Sequence, residues 1–264
     1  MSRFEGRLVW ITGASSGIGE ALAVAFAAEG AKLVLSARRG SELRRVAARC
    51  GRAASVDVLP LDLGELSSLP AHAADVVARH GGVDVMVHNG GISQRSLARD
   101  TTVEVDERLL RVNHLGPVAL TKALLPSMAS RGRGHFVVVS SLVGVFGTPL
   151  RSSYAASKHA LHGFFDSLRA EEHDRGLRVT MVCPGFIRTD VSRNALSGDG
   201  SAHGVMDPAT DKGLAPDVCA RRILHAVARE KREVYVGGLE TRAVLVQRLL
   251  PGVFARLVRR VKTS

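Results

Sequence analysis

Residues 7–12 (RLVWIT) form a short apolar run that ends at Gly13-Ala14-Ser15-Ser16-Gly17-Ile18-Gly19, and the alanine-rich residues 20–28 that follow are helical in character. Few folds accept strand, glycine turn and helix in that order. In a parallel β-α-β unit such a turn gathers backbone N–H groups and a helix N-terminus around one point, where a pyrophosphate binds. Gly13 permits the tight turn, Gly17 lets the backbone approach the phosphates, and Gly19 allows the helix to pack closely on the strand. The spacing is G-x-x-x-G-x-G, and the segments on both sides supply the context that a glycine cluster needs.

The alternation continues along the chain. Residues 32–36 (KLVLS) read as a second strand, and 56–61 as a third that ends at Asp62. Residues 83–88 (VDVMVH) make a fourth, running into Asn89-Gly90-Gly91. Residues 136–140 (FVVVS) make a fifth that delivers Ser141, and 179–183 (VTMVC) a further one closed by Pro184-Gly185. Helical patterns lie between them at 41–50, 71–80, 106–129 and 152–172; the longest contains Gly116-Pro117 and should bend there. Repeated β-α units predict an α/β fold, a Rossmann-like doubly wound parallel sheet of roughly seven strands. A chain of 264 residues fits one such domain. Ligands of these sheets bind outside the carboxyl ends of the strands, where Gly13, Asn89, Ser141 and Pro184 all fall.

Two local patterns sharpen the chemistry. After the second strand, sites that hold NAD place a carboxylate for the ribose 2′-OH, whereas this chain has Ser36-Ala37-Arg38-Arg39. Two guanidiniums there suit a 2′-phosphate, so NADP(H) is the expected cofactor. Further on, Tyr154 and Lys158 stand at i and i+4 of a helical pattern and so share a face. A cation beside a phenol favours the phenolate and lowers its pKa, and Ser141 could hold a substrate oxygen beside it.

The net charge of +11 is concentrated at one end: residues 229–264 hold nine Lys/Arg against three Glu. Residues 1–238 read as the catalytic domain and 239–264 as a basic amphipathic extension. Leu249, Leu250, Phe254, Leu257 and Val258 alternate there with Arg248, Arg256, Arg259 and Arg260, and Pro251-Gly252 divides the stretch into two short helices. It could pack on the domain, pair with a second subunit in a homodimer or homotetramer, or lie on an anionic membrane surface. Its removal is expected to leave the cofactor cleft intact. Residues 191–216, rich in Gly, Ser and Asp, read as a mobile lid. Three well-separated cysteines and no secretory leader suggest a cytoplasmic protein. No His or Cys cluster has metal-ligand spacing, so no metal is expected.

These motifs together resemble the short-chain dehydrogenase/reductase family along nearly the whole chain. The matching pieces are T-G-A-S-S-G-I-G at 12–19, Asn89, Asn113, Ser141, Y-A-A-S-K at 154–158 and P-G-F-I-R-T-D at 184–190. The stretches at 151–160 and 194–207 resemble a narrower branch, that of the dehydrogenase/reductase member seven proteins and 11-beta-hydroxysteroid dehydrogenases. The resemblance implies hydride transfer between NADP(H) and a carbonyl or secondary alcohol, with a lipophilic substrate. It makes Tyr154 the general acid/base and Ser141 the binder of the substrate oxygen. Lys158 would hold the ribose hydroxyls and Asn113 a water of the proton relay. Asp62 would contact the adenine and Thr189 the carboxamide, while Ser15, Ser16, Ile18, Pro184, Gly185 and Ile187 would line the cofactor. One departure stands out: the family's Asn-Asn-Ala-Gly is His88-Asn89-Gly90-Gly91 here. Competing readings are a 3-oxoacyl-thioester reductase drawing an acidic carrier to its basic surface, and a cofactor-binding scaffold without catalysis. A nucleic-acid binder is disfavoured by 4% aromatic residues and the lack of a recognised motif.

Overall fold

The structure is a computed structural model in which residues 3–259 are described. Seven strands form one parallel sheet: β1 (Leu8–Thr12), β2 (Lys32–Ser36), β3 (Ser55–Val58), β4 (Val85–His88), β5 (Gly134–Val139), β6 (Leu177–Pro184) and β7 (Glu233–Val236). Their order is β3-β2-β1-β4-β5-β6-β7, so the direction of travel reverses between β1 and β4. That reversal opens the crevice where doubly wound sheets bind ligands.

Side-chain alternation along the strands divides the core into two layers. From β1, Val9 and Ile11 face one layer with Leu22 and Phe26 of α1 (Gly17–Ala28), Leu43 and Val46 of α2 (Gly40–Ala48), and Ile223 and Val227 further along. Leu8 and Trp10 face the other, against Val76 of α3 (Leu69–His80) and residues of two later helices. Trp10 is fully buried, and its indole N–H donates to the Ser36 hydroxyl at 2.9 Å.

Several boundaries differ from the sequence expectation. The third strand stops at Val58, two residues before Pro60, which cannot donate to a ladder. The seventh strand, EVYV, had no place in the sequence reading; it is a half-buried edge strand without a continuous apolar run. The long helical pattern resolves into α4 (Val103–Leu110), a π-helical turn over Arg111–Leu115, and α5 (Gly116–Ser130). Pro117 sits in the first turn of α5 and has no N–H for the carbonyl four residues back, that of Asn113. The irregularity therefore comes before Gly116-Pro117 and falls on Asn113. The chain continues through α6 (Ser152–Glu171), the short α7 (Pro208–Asp211), α8 (Pro216–Ala228), α9 (Ala243–Leu249) and α10 (Pro251–Val258). Among the described residues no helix is long and apolar enough to cross a membrane.

Candidate active site

A cleft of about 1030 Å³ runs over the carboxyl ends of the strands, from Arg38 and Arg39 at one end to Tyr154 and Phe254 at the other. At the nucleotide end the turn after β1 is shaped by backbone demands. Gly13 has φ +66°, and a Cβ there would lie 2.6 Å from the Cα of Gly90. Gly17 has φ +59°, and a Cβ there would press on the Thr189 methyl at 2.9 Å. No side chain fits either position, so bare backbone faces the cleft.

Ser15, Ser16 and Ile18 also line the cleft, as do Asp62, Pro184, Gly185, Ile187 and Thr189. Arg38 and Arg39 are exposed at its rim, and no acidic side chain pairs with either among the described residues. The Asp62 carboxylate accepts from the Gly64 N–H at 2.8 Å. Two predicted cofactor residues act behind the wall. Gly19 is buried and packs on the Gly13 carbonyl. Asn89 borders the cleft, but its amide donates to the carbonyls of Thr12 and Gly13, both at 3.1 Å, and so holds the turn in shape. His88 points away from the cleft, stacked on Phe136 and 2.8 Å from the Thr121 hydroxyl. The His88 departure from the family pattern thus lies in the core, whereas Gly90, which replaces the family's Ala, lines the cleft.

The glycine cradle, the helix N-terminus of α1 and the two unpaired guanidiniums together fit a dinucleotide with phosphate at both places. Ribose and nicotinamide contacts would then fall to Lys158 and to the wall at residues 184–189.

At the other end, α6 places Tyr154 and Lys158 on one face. Its first turn has no side-chain cap of its own. The orphan N–H groups of Ser153 and Tyr154 instead donate to Oε1 of Gln94, at 2.9 and 3.2 Å. Gln94 is fully buried, and its amide donates to the Thr101 hydroxyl at 2.8 Å. Ser141, just beyond the end of β5, lines the cleft with Tyr154, and its hydroxyl accepts from the Val143 N–H at 3.3 Å. Lys158 is buried, with Nζ donating to the Val139 carbonyl at 2.9 Å and lying 5.8 Å from the Tyr154 ring centre.

The electrostatics differ from the sequence expectation. Burial pushes the Tyr154 phenol up, and this outweighs the opposing pull of Ser141, Arg95 and Arg151. Lys158 is not among the groups that lower it. Burial also lowers Lys158, to about 8. An ammonium that donates to a main-chain carbonyl nearly 6 Å from the ring acts weakly on the phenol.

Asn113 is fully buried in the π turn. Its side chain is used structurally: Oδ1 accepts from the Ile92 N–H at 2.8 Å, and Nδ2 donates to the Ile92 carbonyl and the Ser157 hydroxyl. Its main-chain carbonyl meets no N–H at Pro117, four residues on.

The substrate end brings together residues that sequence patterns did not indicate. Arg95 and Arg151 both line the cleft and share one carboxylate, Asp207, at 2.9 and 3.1 Å. All three side chains are largely buried, leaving one cationic charge in excess beside Tyr154. The Thr148 hydroxyl lines the same cleft, buried and without a hydrogen-bond partner. Residues 191–216 are tied to the domain through Leu196, whose N–H donates to Ser93 and whose carbonyl accepts from Arg95, both at 2.8 Å.

The C-terminal extension is part of the cleft wall. Val246, Phe254, Leu257 and Val258 line the cleft, and Phe254 meets Phe146 edge-on at 4.8 Å. The Glu240 carboxylate accepts from the Phe186 and Gly238 N–H groups at 3.1 and 3.0 Å. The extension thus supplies part of the wall, chiefly at the substrate end, and is not only an appendage to the domain. Pro251-Gly252 does divide it into two helices, while Arg260 lies outside the described residues.

Comparison with known proteins agrees with this geometry. Residues 7–199 match the short chain dehydrogenase family. A dehydrogenase/reductase SDR family protein 7-like from Drosophila melanogaster is 45% identical over 259 residues, covering 96% of this chain and 79% of that one. A short-chain dehydrogenase from Streptomyces avermitilis superposes with a TM-score of 0.82 at 30% identity, covering 97% and 96% of the two chains. An alcohol dehydrogenase from Thermococcus sibiricus, solved with 5-hydroxy-NADP, gives 0.74 at 28% identity over 89% and 97%. By motif, topology and relatives alike, the chain belongs to the short-chain dehydrogenase family of nicotinamide-dependent oxidoreductases.

Proposed function

We propose that the protein is an NADP(H)-dependent carbonyl reductase/alcohol dehydrogenase whose substrate joins an apolar chain to an acidic group. The observation that carries this reading is a single cleft that holds Arg38 and Arg39 at one end and Ser141 with Tyr154 at the other. The bound cofactor supplies a hydride for the carbonyl carbon. Ser141 holds the carbonyl oxygen, and Tyr154 gives it the phenolic proton. Burial keeps that phenol protonated, which is the form that reduction consumes. Lys158 anchors the ribose, and the Asn113 carbonyl holds a water that returns a proton towards Tyr154.

The walls support the substrate class. Phe146, Phe254 and Leu257 offer an apolar surface, while the surplus charge of the Arg95–Arg151–Asp207 group and the unpartnered Thr148 hydroxyl favour a polar, anionic end. The same cation would also suit the phosphate-bearing arm of an acyl thioester. Exposed Val103, Leu110 and Leu115 on the α4–α5 face support self-association as a homodimer or homotetramer.

A panel of ketones with and without a carboxylate or phosphate, together with 3-oxoacyl thioesters, tests the reading through NADPH and NADH oxidation. Acidic long-chain ketones reduced with NADPH are the expected result. A preference for thioesters would replace the substrate class, and no turnover with any carbonyl would leave a cofactor-binding scaffold.

A further inference from the structure

One turn beyond Lys158 on α6, three residues from three elements meet. His162 comes from α6, Cys183 from the end of β6 and Glu233 from the start of β7. Their ligand atoms all lie within 4.8 Å of one another. The Cys183 sulfur is 3.7 Å from His162 Nε2 and 3.7 Å from Glu233 Oε1. A tetrahedral zinc ion, with bonds of about 2.3 Å to sulfur and about 2.1 Å to nitrogen or oxygen, separates sulfur from its neighbouring ligands by roughly 3.6 Å. We propose that His162, Cys183 and Glu233 form a binding site for a borderline-soft divalent cation of the zinc type, with a fourth position open to water.

The surroundings favour such an ion. Cys183 is fully buried, whereas the Glu233 side chain is 29% exposed and gives a route from solvent. The nearest cation to the carboxylate, Arg248, approaches Oε2 at 3.8 Å, leaving Oε1 facing the thiol. Arg248 is 56% exposed and bonds the Tyr235 hydroxyl at 3.3 Å, so it can move outward without losing a buried contact. On binding, the thiol proton leaves to solvent and the sulfur coordinates as thiolate; no redox change is involved.

The site is structural, not catalytic. His162 Nε2 lies 3.0 Å from the Ser140 hydroxyl, a contact that an ion on Nε2 would replace while tying α6 to β6 and β7 through its three ligands. Sequence spacing could not reveal it, because the ligands lie 21 and 50 residues apart.

Cobalt(II) titration of the untagged full chain, first stripped with a chelator, tests the proposal. One equivalent should give a thiolate-to-cobalt charge-transfer band that zinc abolishes by displacement. Cys183→Ser should remove the band, and His162→Gln or Glu233→Gln should weaken zinc binding by about tenfold to a hundredfold, in the range seen when metal-site partners are lost. Cys219→Ser, at another buried thiol, should leave the band unchanged. Circular dichroism and NADPH binding by each variant show that it is folded. A wild-type chain without the band, or a band that survives Cys183→Ser, overturns the proposal.

Discussion

The two ends of the cleft are built in different ways. The nucleotide end is written in short, contiguous pieces: one turn at 13–19, two arginines at the end of β2 and one loop at 184–189. The substrate end is assembled from residues far apart in the chain. Arg95 and Asp207 are 112 positions apart, and Arg151 reaches the same carboxylate across 56. A phosphate is bound by backbone geometry, which local sequence dictates. A substrate pocket is bound by side chains, and these can come from any loop above the sheet. The contrast predicts that substitutions at the two ends will separate cofactor from substrate effects.

The largest effect should come where the ends meet. Tyr154→Phe removes a hydroxyl and little volume, so the fold and NADPH affinity should persist while kcat falls by about 10²–10⁴-fold, the usual share of a general acid. Stopped-flow turnover alongside fluorescence titration of NADPH reads both quantities. Retention of most of the activity would remove Tyr154 from the chemistry.

At the nucleotide end, Arg38→Ala should weaken NADPH by roughly tenfold to a hundredfold and NADH hardly at all. A charge-assisted hydrogen bond to the 2′-phosphate is worth about 1.5–3 kcal/mol. Calorimetry with both cofactors decides it. Equal losses would mean that Arg38 shapes the loop and does not read the phosphate.

At the substrate end, Phe254→Ala opens the wall that α10 provides against Phe146. The KM for apolar ketones should rise by about tenfold with NADPH affinity unchanged, since hydrophobic pockets discriminate by roughly 1–3 kcal/mol. A loss of NADPH affinity instead would merge the two ends into one binding unit.

The same contrast explains what could be read in advance. Strands β1 to β6 are legible because most carry buried apolar runs between glycine or proline breaks; β6, for example, is buried at all but one of its positions. β7 is not, because an edge strand buried on one side needs no such run. Tyr154, Lys158 and Ser141 were legible as a motif, but the state of the phenol was not, since desolvation depends on everything packed around it. Gln94 carries no signal at all. A glutamine in a loop becomes the cap of α6 only because the chain returns to it some 60 residues later. Asn113 was indicated as a residue, yet its side chain is committed to Ile92 and Ser157.

The smallest effect concerns His88, a departure from the family pattern inside the locally written half. Burial lowers its pKa to about 3, so the folded chain keeps this imidazole neutral. The unfolded chain protonates it near 6.5. Between those values the unfolded state binds more protons, so the contribution to stability falls as pH drops below about 6.5 and stays constant above it. His135, lowered to about 4 by burial, works in the same direction, as do His114 and His162, also lowered by burial, and all should remain in any variant at position 88. His88→Asn, the family's residue, removes one of these protons without adding a charge, and an amide can still bond the Thr121 hydroxyl that His88 meets at 2.8 Å. Going from pH 7 to 5.5, the variant should lose about 1 kcal/mol less stability than the parent, as one titrating group requires. Urea unfolding at the two pH values measures the difference. Identical losses would mean that the parent's His88 takes up its proton while folded, and that the Phe136 layer behind the cofactor turn is wetter than its packing indicates.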